Sequence, residues 1–164
     1  MPKSKIVIVD ETDKIIGSKY NADLKSNDIY RVSALWVTNS KGEILLAKRH
    51  HTKAHDPNKW GPAVAGTVEE NETYEENIVK EAEEELGIKN CVFSLGPKLK
   101  RDNQYHYFVQ WYFLKIDQPV SYFKPQETEV EEVKWFSPDD LQKQMEKNPE
   151  NFLLSLRNYA QLFL

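Results

Sequence analysis

Short runs of β-branched and aromatic residues, broken by polar turns, fill the chain as far as Gly66. Ile6 to Val9 reads as a strand, Asp10 to Asp13 as a turn, and Lys14 to Gly17 as the returning strand of a hairpin. Asn21 to Asp28 is polar and reads as loop or a short helical turn. Tyr30 to Thr38 is a longer apolar run and predicts a central strand. Asn39 to Gly42 carries turn residues, and Glu43 to Lys48 predicts the strand returning from it. Ala63 to Gly66 predicts a short strand, and Cys91 to Leu95 another, followed by a basic loop at Lys98 to Arg101. Tyr105 to Ile116 is the longest β-like segment. Tyr105, Tyr107, Val109, Trp111 and Phe113 fall on one face, and His106, Phe108, Gln110, Tyr112 and Leu114 on the other. Aromatics on both faces predict a strand covered on both sides. Core packing accounts for most of them, and base stacking stays open for one. Glu129 to Phe136 predicts a last strand. Ser137 or Asp139 can cap a helix near Pro138, Pro149 interrupts, and Phe152 to Phe163 predicts a final amphipathic helix.

Between the two sets of strands the rhythm becomes helical. Thr73 and Glu76 have the spacing of a capping box, and Gly87 can end a helix in the left-handed conformation without a Cβ penalty. Ile78, Val79, Ala82 and Leu86 fall within about 100° of arc, a stripe that should face a core. Beside it Glu81, Glu84 and Glu85 stand at i, i+3 and i+4. Like charges so placed cost roughly 0.2–0.5 kcal/mol per pair in an isolated helix. A hard divalent cation converts that repulsion into ligation, since Mg²⁺ takes oxygen ligands, commonly a few carboxylates plus substrate phosphates. A bare acidic run is more often a solvated helix face, so the acids alone leave both readings open.

Composition narrows the classes. A chain of 164 residues is long enough for one sizeable core, and a single domain over residues 1–164 is expected. A net charge of −4 with no basic run gives no electrostatic case for nucleic acid. The apolar run near the N-terminus is too short for a leader or a membrane span, and no lipidation motif is visible. Cys91 is alone, which excludes an internal disulfide and a multi-cysteine metal site. Cytoplasmic residence is the default expectation. His50, His51 and His55 crowd the polar stretch Arg49 to Lys59, but their spacing fits neither a helical zinc motif nor a finger. That stretch is read as a surface loop, where substrate contacts also concentrate.

The residues from Gly66 to Ile88 resemble the Nudix box. Gly66, Glu72, Glu81, Glu84, Glu85, Gly87 and Ile88 match its spaced pattern position by position. Lys80 stands where the family has arginine, and Ala82 where it usually has a larger aliphatic residue. Family-like sequence extends to Tyr30–Arg49, Trp60–Gly66 and Val133–Ser137. The element order does not alternate strand and helix, which argues against a doubly wound sheet. The fold class expected is α+β, and the resemblance implies an α/β/α sandwich with a mixed sheet between helices.

The resemblance further implies metal-dependent hydrolysis of a nucleoside diphosphate, alone or linked to another group, with Mg²⁺ or Mn²⁺ as cofactor. Glu81, Glu84 and Glu85 are the expected metal ligands, with the Ala65 carbonyl as an additional one. One of these acids, or Glu129, is the expected general base. Glu72 should pair with Lys80 and fix the box, with Gly66 and Gly87 as structural supports. Lys80 also has a bland reading, as a partner of Glu76 and Glu84 on the helix surface. Arg49 and Lys48 could hold phosphates, or could simply be solvent-facing strand-end charges. The expected partner is a small nucleoside diphosphate-type molecule, without nucleic acid or membrane, and a homodimer is allowed for.

Within the superfamily the N-terminal half resembles the branch of isopentenyl diphosphate isomerase. That isomerase needs a cysteine before the box glycine and a histidine after it, where this chain has Ala65 and Thr67. A hydrolase of that branch is therefore expected over the isomerase. A nucleotide-binding module without turnover is the other alternative, and the complete carboxylate set argues against it.

Overall fold

The computed structural model describes residues 3–164; the first two residues of the N-terminal run lie outside the described residues. β1 (Lys5–Val9) and β2 (Ile15–Tyr20) form the expected hairpin, and a single helical turn at Asn21–Asp23 follows. β3 (Ile29–Thr38) and β4 (Ile44–Arg49) also fall where the pattern put them. The segment leading to Gly66 makes two strands, β5 (Trp60–Pro62) on β4 and β6 (Val64–Thr67) on β3. α1 (Tyr74–Leu86) is followed by β7 (Ser94–Asp102), β8 (His106–Lys115) and β9 (Val130–Phe136). α2 (Pro138–Lys147) is capped by Ser137, whose Oγ accepts from the Asp140 N–H, and α3 (Leu154–Phe163) closes the chain.

The strand expected at Cys91–Leu95 begins only at Ser94, and it runs through the stretch expected to be a basic loop. Lys98, Leu99, Lys100 and Arg101 pair with Gln110, Val109, Phe108 and Tyr107 of β8. The basic side chains are tolerated because β7 is an outer strand with acids within reach. Lys98 Nζ lies 2.7 Å from Asp13 Oδ2, and Lys100 pairs with Glu11 and Asp102.

β3 is the axis of the sheet. One edge carries β1, β6 and β4 in turn, all antiparallel, and the other carries β8 in parallel register from Tyr30–Tyr107 to Thr38–Lys115. Alternation along β3 then builds two cores. Leu35 and Val37 join Leu45, Val64 and Tyr112 beneath α1. Ala34 and Trp36 join Leu46, Trp111 and Phe136 beneath α2 and α3. The result is the expected mixed sheet between helices. β8 is covered on both sides, and most of its aromatics are core. No helix among the described residues is long and apolar enough to cross a membrane.

α1 begins with the full capping box. Thr73 Oγ1 accepts from the Glu76 N–H, and Glu76 Oε2 accepts from the Thr73 N–H. Gly87 ends it at φ +68°, and the Gly87 and Ile88 N–H groups reach the carbonyls of Glu83 and Ala82. Ile78, Ala82 and Leu86 are fully buried as expected, but Val79 is 48% exposed and Asn77 takes its place inside. The helix is rolled towards β6, so the row Asn77, Glu81, Glu85 turns inward. Asn77 Oδ1 accepts from the buried Ser33 hydroxyl, and its Nδ2 donates to Thr67 O and Glu72 Oε2. Asn77→Ala leaves those groups unpaired and is expected to destabilise by about 1–3 kcal/mol. Denaturant unfolding checks this, and a shift of a few tenths of a kcal/mol would show the polar weld to be dispensable.

Candidate active site

The inward row of α1 opens onto a cleft of about 1060 Å³. Glu81, Glu85, Glu129, Ala65, Arg49 and Lys53 line its acidic end. β6 brings Ala65 and Gly66 against the helix, and the approach is close. A Cβ on Gly66 would lie 2.4 Å from Glu81 Cγ and 2.6 Å from its Cδ. The box glycine therefore makes room for the Glu81 side chain. Gly66→Ala is expected to displace that carboxylate while leaving the cores intact. Titration of the variant with Mn²⁺ should show clearly weaker binding, and unchanged affinity would mean that the site does not depend on Glu81.

Glu129 reaches the cleft from the other side of the helix end. The Gln126 and Lys124 N–H groups donate to the carbonyls of Glu85 and Leu86, which ties the loop before β9 to the terminus of α1. Glu129 then pairs with Lys53 of the Arg49–Lys59 loop. Arg49 lines the cleft and its guanidinium holds the carbonyl of His55 at 2.9 and 3.1 Å. Lys48 is not in the cleft lining; it lines a smaller adjoining depression of about 60 Å³ that shares Arg49, Ala65, Glu85 and Glu129 with the cleft. Glu84 is exposed and outside the cleft lining, though its charge acts on Glu81.

Lys80 lies with the box loop. Its Nζ is 2.5 Å from Glu72 Oε1, 3.0 Å from Glu69 Oε2 and 3.9 Å from Glu81 Oε1. Among the described residues it makes no ion pair with Glu76 or Glu84, so the helix-surface reading of Lys80 is not what the fold uses. Glu72 Oε2 also accepts from the Glu69 N–H and from Asn77. Burial pushes the Glu72 carboxyl up, but Lys80 and these donors hold it below the usual range. Glu81 and Glu85 are less well compensated. Burial pushes Glu81 up to about 7 against the pull of Lys80, with Glu84 adding to the rise. Burial, then the charges of Glu81 and Glu129, push Glu85 up to about 8, opposed by a backbone hydrogen bond from Ala65. Half-buried carboxyls that nearby lysines compensate only in part, beside an open cleft, fit the donor set of a hard divalent metal.

The far end of the cleft is aromatic and of mixed charge, with Asp28 beside Lys25. Tyr30 and Tyr107 lie 5.6 Å apart at 30°, with Tyr105 and Lys25 nearby. Lys53, Glu69 and the Asn77–Ser33 pair were not expected. Lys53 sits in a loop without periodicity, and the pairing of Ser33 with Asn77 spans 44 positions. A polar residue one turn before Glu81 is the only sequence signal that could have pointed to Asn77.

Comparison with known proteins gives the family and the fold. The NUDIX domain profile matches residues 29–156, and the chain belongs to that family. It is 36% identical over 88 residues to a Pseudomonas aeruginosa protein named as the uncharacterized Nudix hydrolase PA4841, covering 53% of this chain and 52% of that one. It is 31% identical over 91 residues to the isopentenyl-diphosphate Delta-isomerase of Salmonella paratyphi B, covering 54% and 50%. The chain thus spans about half the length of these relatives. The crystal structure of DR0079 from Deinococcus radiodurans shares the fold, with a TM-score of 0.81 at 24% identity over 96% of this chain and 97% of that one.

Proposed function

We propose that this protein, as one Nudix domain over residues 1–164, hydrolyses the diphosphate of a nucleoside diphosphate or of a nucleoside diphosphate linked to another group, with Mg²⁺ or Mn²⁺. The convergence of Glu81, Glu85 and Glu129 on one cleft, beside Arg49 and Lys53, carries the reading. Glu81, Glu85 and the Ala65 carbonyl, which line the cleft, would hold the metal, and Glu84, outside the lining, would have to reach it from the exposed side of the helix. A divalent cation there neutralises phosphate oxygens and lowers the pKa of bound water. Glu129 or one of the box acids takes the proton from the attacking water. Glu72 and Lys80 hold the box loop against the helix, Gly66 leaves room for the Glu81 side chain, and Gly87 ends the helix in the left-handed conformation. Arg49 faces the phosphates. Lys48, on the neighbouring depression, has the weaker claim to them.

A panel of nucleoside diphosphates and their conjugates, with Mg²⁺ and with Mn²⁺, tests this. Metal-dependent release of a nucleotide or phosphate product is expected. Binding without turnover across the panel would make the domain a nucleotide-binding module, and turnover in excess chelator would overturn the metal chemistry. Isopentenyl diphosphate belongs on the panel, because the isomerase is a relative. With Ala65 and Thr67 where a thiol and an imidazole are needed, no dimethylallyl diphosphate is expected. Arg49→Ala is expected to raise KM more than it lowers kcat, as loss of uniform binding does. Unchanged kinetics would leave Arg49 as the prop of the His55 carbonyl alone.

A further inference from the structure

We propose that His50, His51 and Glu131 form a second cation site, for a borderline d-block metal of the Zn²⁺ type, outside the carboxylate cleft. The three residues come together through an irregularity of the sheet. Lys48 pairs with Glu132, but Arg49 pairs with Val130, so Glu131 is the extra residue of a β-bulge in β9. Bulges re-aim a side chain that regular alternation would send elsewhere. Here Glu131 is turned onto the residues that leave β4, where the His50 N–H donates to Glu129 O.

The donor geometry suits a metal. Glu131 Oε2 is 2.8 Å from His51 Nδ1 and 3.5 Å from His50 Nε2, and the ligand atoms of all three residues lie within 4.8 Å of one another. Tetrahedral zinc with bonds near 2.0–2.1 Å sets its ligand atoms about 3.3 Å apart. The His50–Glu131 separation is already near that value, and the His51–Glu131 one need open by only about half an ångström. His50 Nδ1 faces Thr52, 2.7 Å from its Oγ1 and 3.3 Å from its backbone N; the tautomer in which Nδ1–H donates to Oγ1 is the one that frees Nε2 for a metal and holds the ring from behind. Two imidazoles and a carboxylate suit Zn²⁺ and its d-block neighbours rather than Mg²⁺, which prefers oxygen alone. His55, though close in sequence, is not part of the set; its ring lies 6.3 Å from that of Tyr105. The three ligands do not line the cleft, whereas Thr52, Lys53 and His55 of the same loop do. A metal bound here ties that loop to β9 and so fixes one wall of the cleft.

Equilibrium dialysis with Zn²⁺ in a millimolar excess of Mg²⁺ tests the site, on the wild type, His51→Ala, Glu131→Gln and a Glu81→Gln/Glu85→Gln double variant. The wild type and the double variant are expected to retain one Zn²⁺ per chain. His51→Ala and Glu131→Gln are expected to weaken it by about a hundredfold or more, since even outer partners of a ligand are worth about 10–100-fold. Both substituted side chains are at the surface, and circular dichroism checks that the fold persists. With Co²⁺ in place of Zn²⁺, visible absorption bands should appear in the same two proteins. Failure of the wild type to retain Zn²⁺, equal retention in all four proteins, or loss only in the double variant would overturn the proposal. The measurement needs no substrate, so it stands or falls apart from the hydrolase reading.

Discussion

Glu85→Gln is expected to lower kcat by about two orders of magnitude or more, the scale on which a major electrostatic stabiliser is lost. The substitution keeps the shape of the side chain and removes its charge, so the fold should survive. A second signature accompanies the loss. With its carboxyl raised to about 8, Glu85 holds a proton in the folded chain that the unfolded chain gives up near 4.5. The stability due to that proton is fully present below the lower value and disappears as pH rises through the upper one. Glu81, raised to about 7, acts in the same sense. The Tm of the metal-free wild type should therefore fall between about pH 5 and pH 9. Saturating Mg²⁺, which favours the ionised carboxylates, should raise it most at the alkaline end. In Glu85→Gln both the fall and the metal-induced rise should shrink. Full turnover in the variant, or an unchanged Tm profile, would remove Glu85 from the site.

Lys80→Ala is expected to lower kcat and metal affinity by roughly tenfold, the lower end of what supporting partners of metal ligands contribute. Without Lys80, the carboxylates of Glu69, Glu72 and Glu81 crowd one another with no cation between them. Glu72 would lose the charge that holds its carboxyl below the usual range, and the box loop would lose its anchor on the helix. Lys80→Arg should preserve or raise kcat. A guanidinium presents a planar fork of donors, which suits the two acids better than a single ammonium. Metal titration and turnover of the two variants check this. An alanine variant that matches the wild type in both would reduce Lys80 to an ordinary surface charge.

The sequence determined what depends on near neighbours. The capping box at Thr73, the left-handed stop at Gly87 and the buried trio Ile78, Ala82 and Leu86 follow from spacings within one helix. The strands from Ile6 to Arg49 follow from alternation and turn residues. The box pattern gave Glu81, Glu85 and the Glu72–Lys80 pair, because those contacts lie within one loop and one helix. Tertiary structure decided which arc of α1 faces in. A periodicity cannot tell a stripe centred on Ala82 from one rolled towards Asn77, and β6 settled it by covering that flank. It decided that Lys98–Arg101 is strand, since acids on the first hairpin are within reach only once β7 packs beside it. It also decided which charges share the cleft. Glu129 and Lys53 meet across 76 positions, and of the sequence neighbours Lys48 and Arg49, which share the small adjoining depression, only Arg49 lines the cleft itself. The bulge that carries Glu131 to His50 and His51 has no local signal at all. It exists only in the register between two strands more than 80 residues apart, and registers are set by packing.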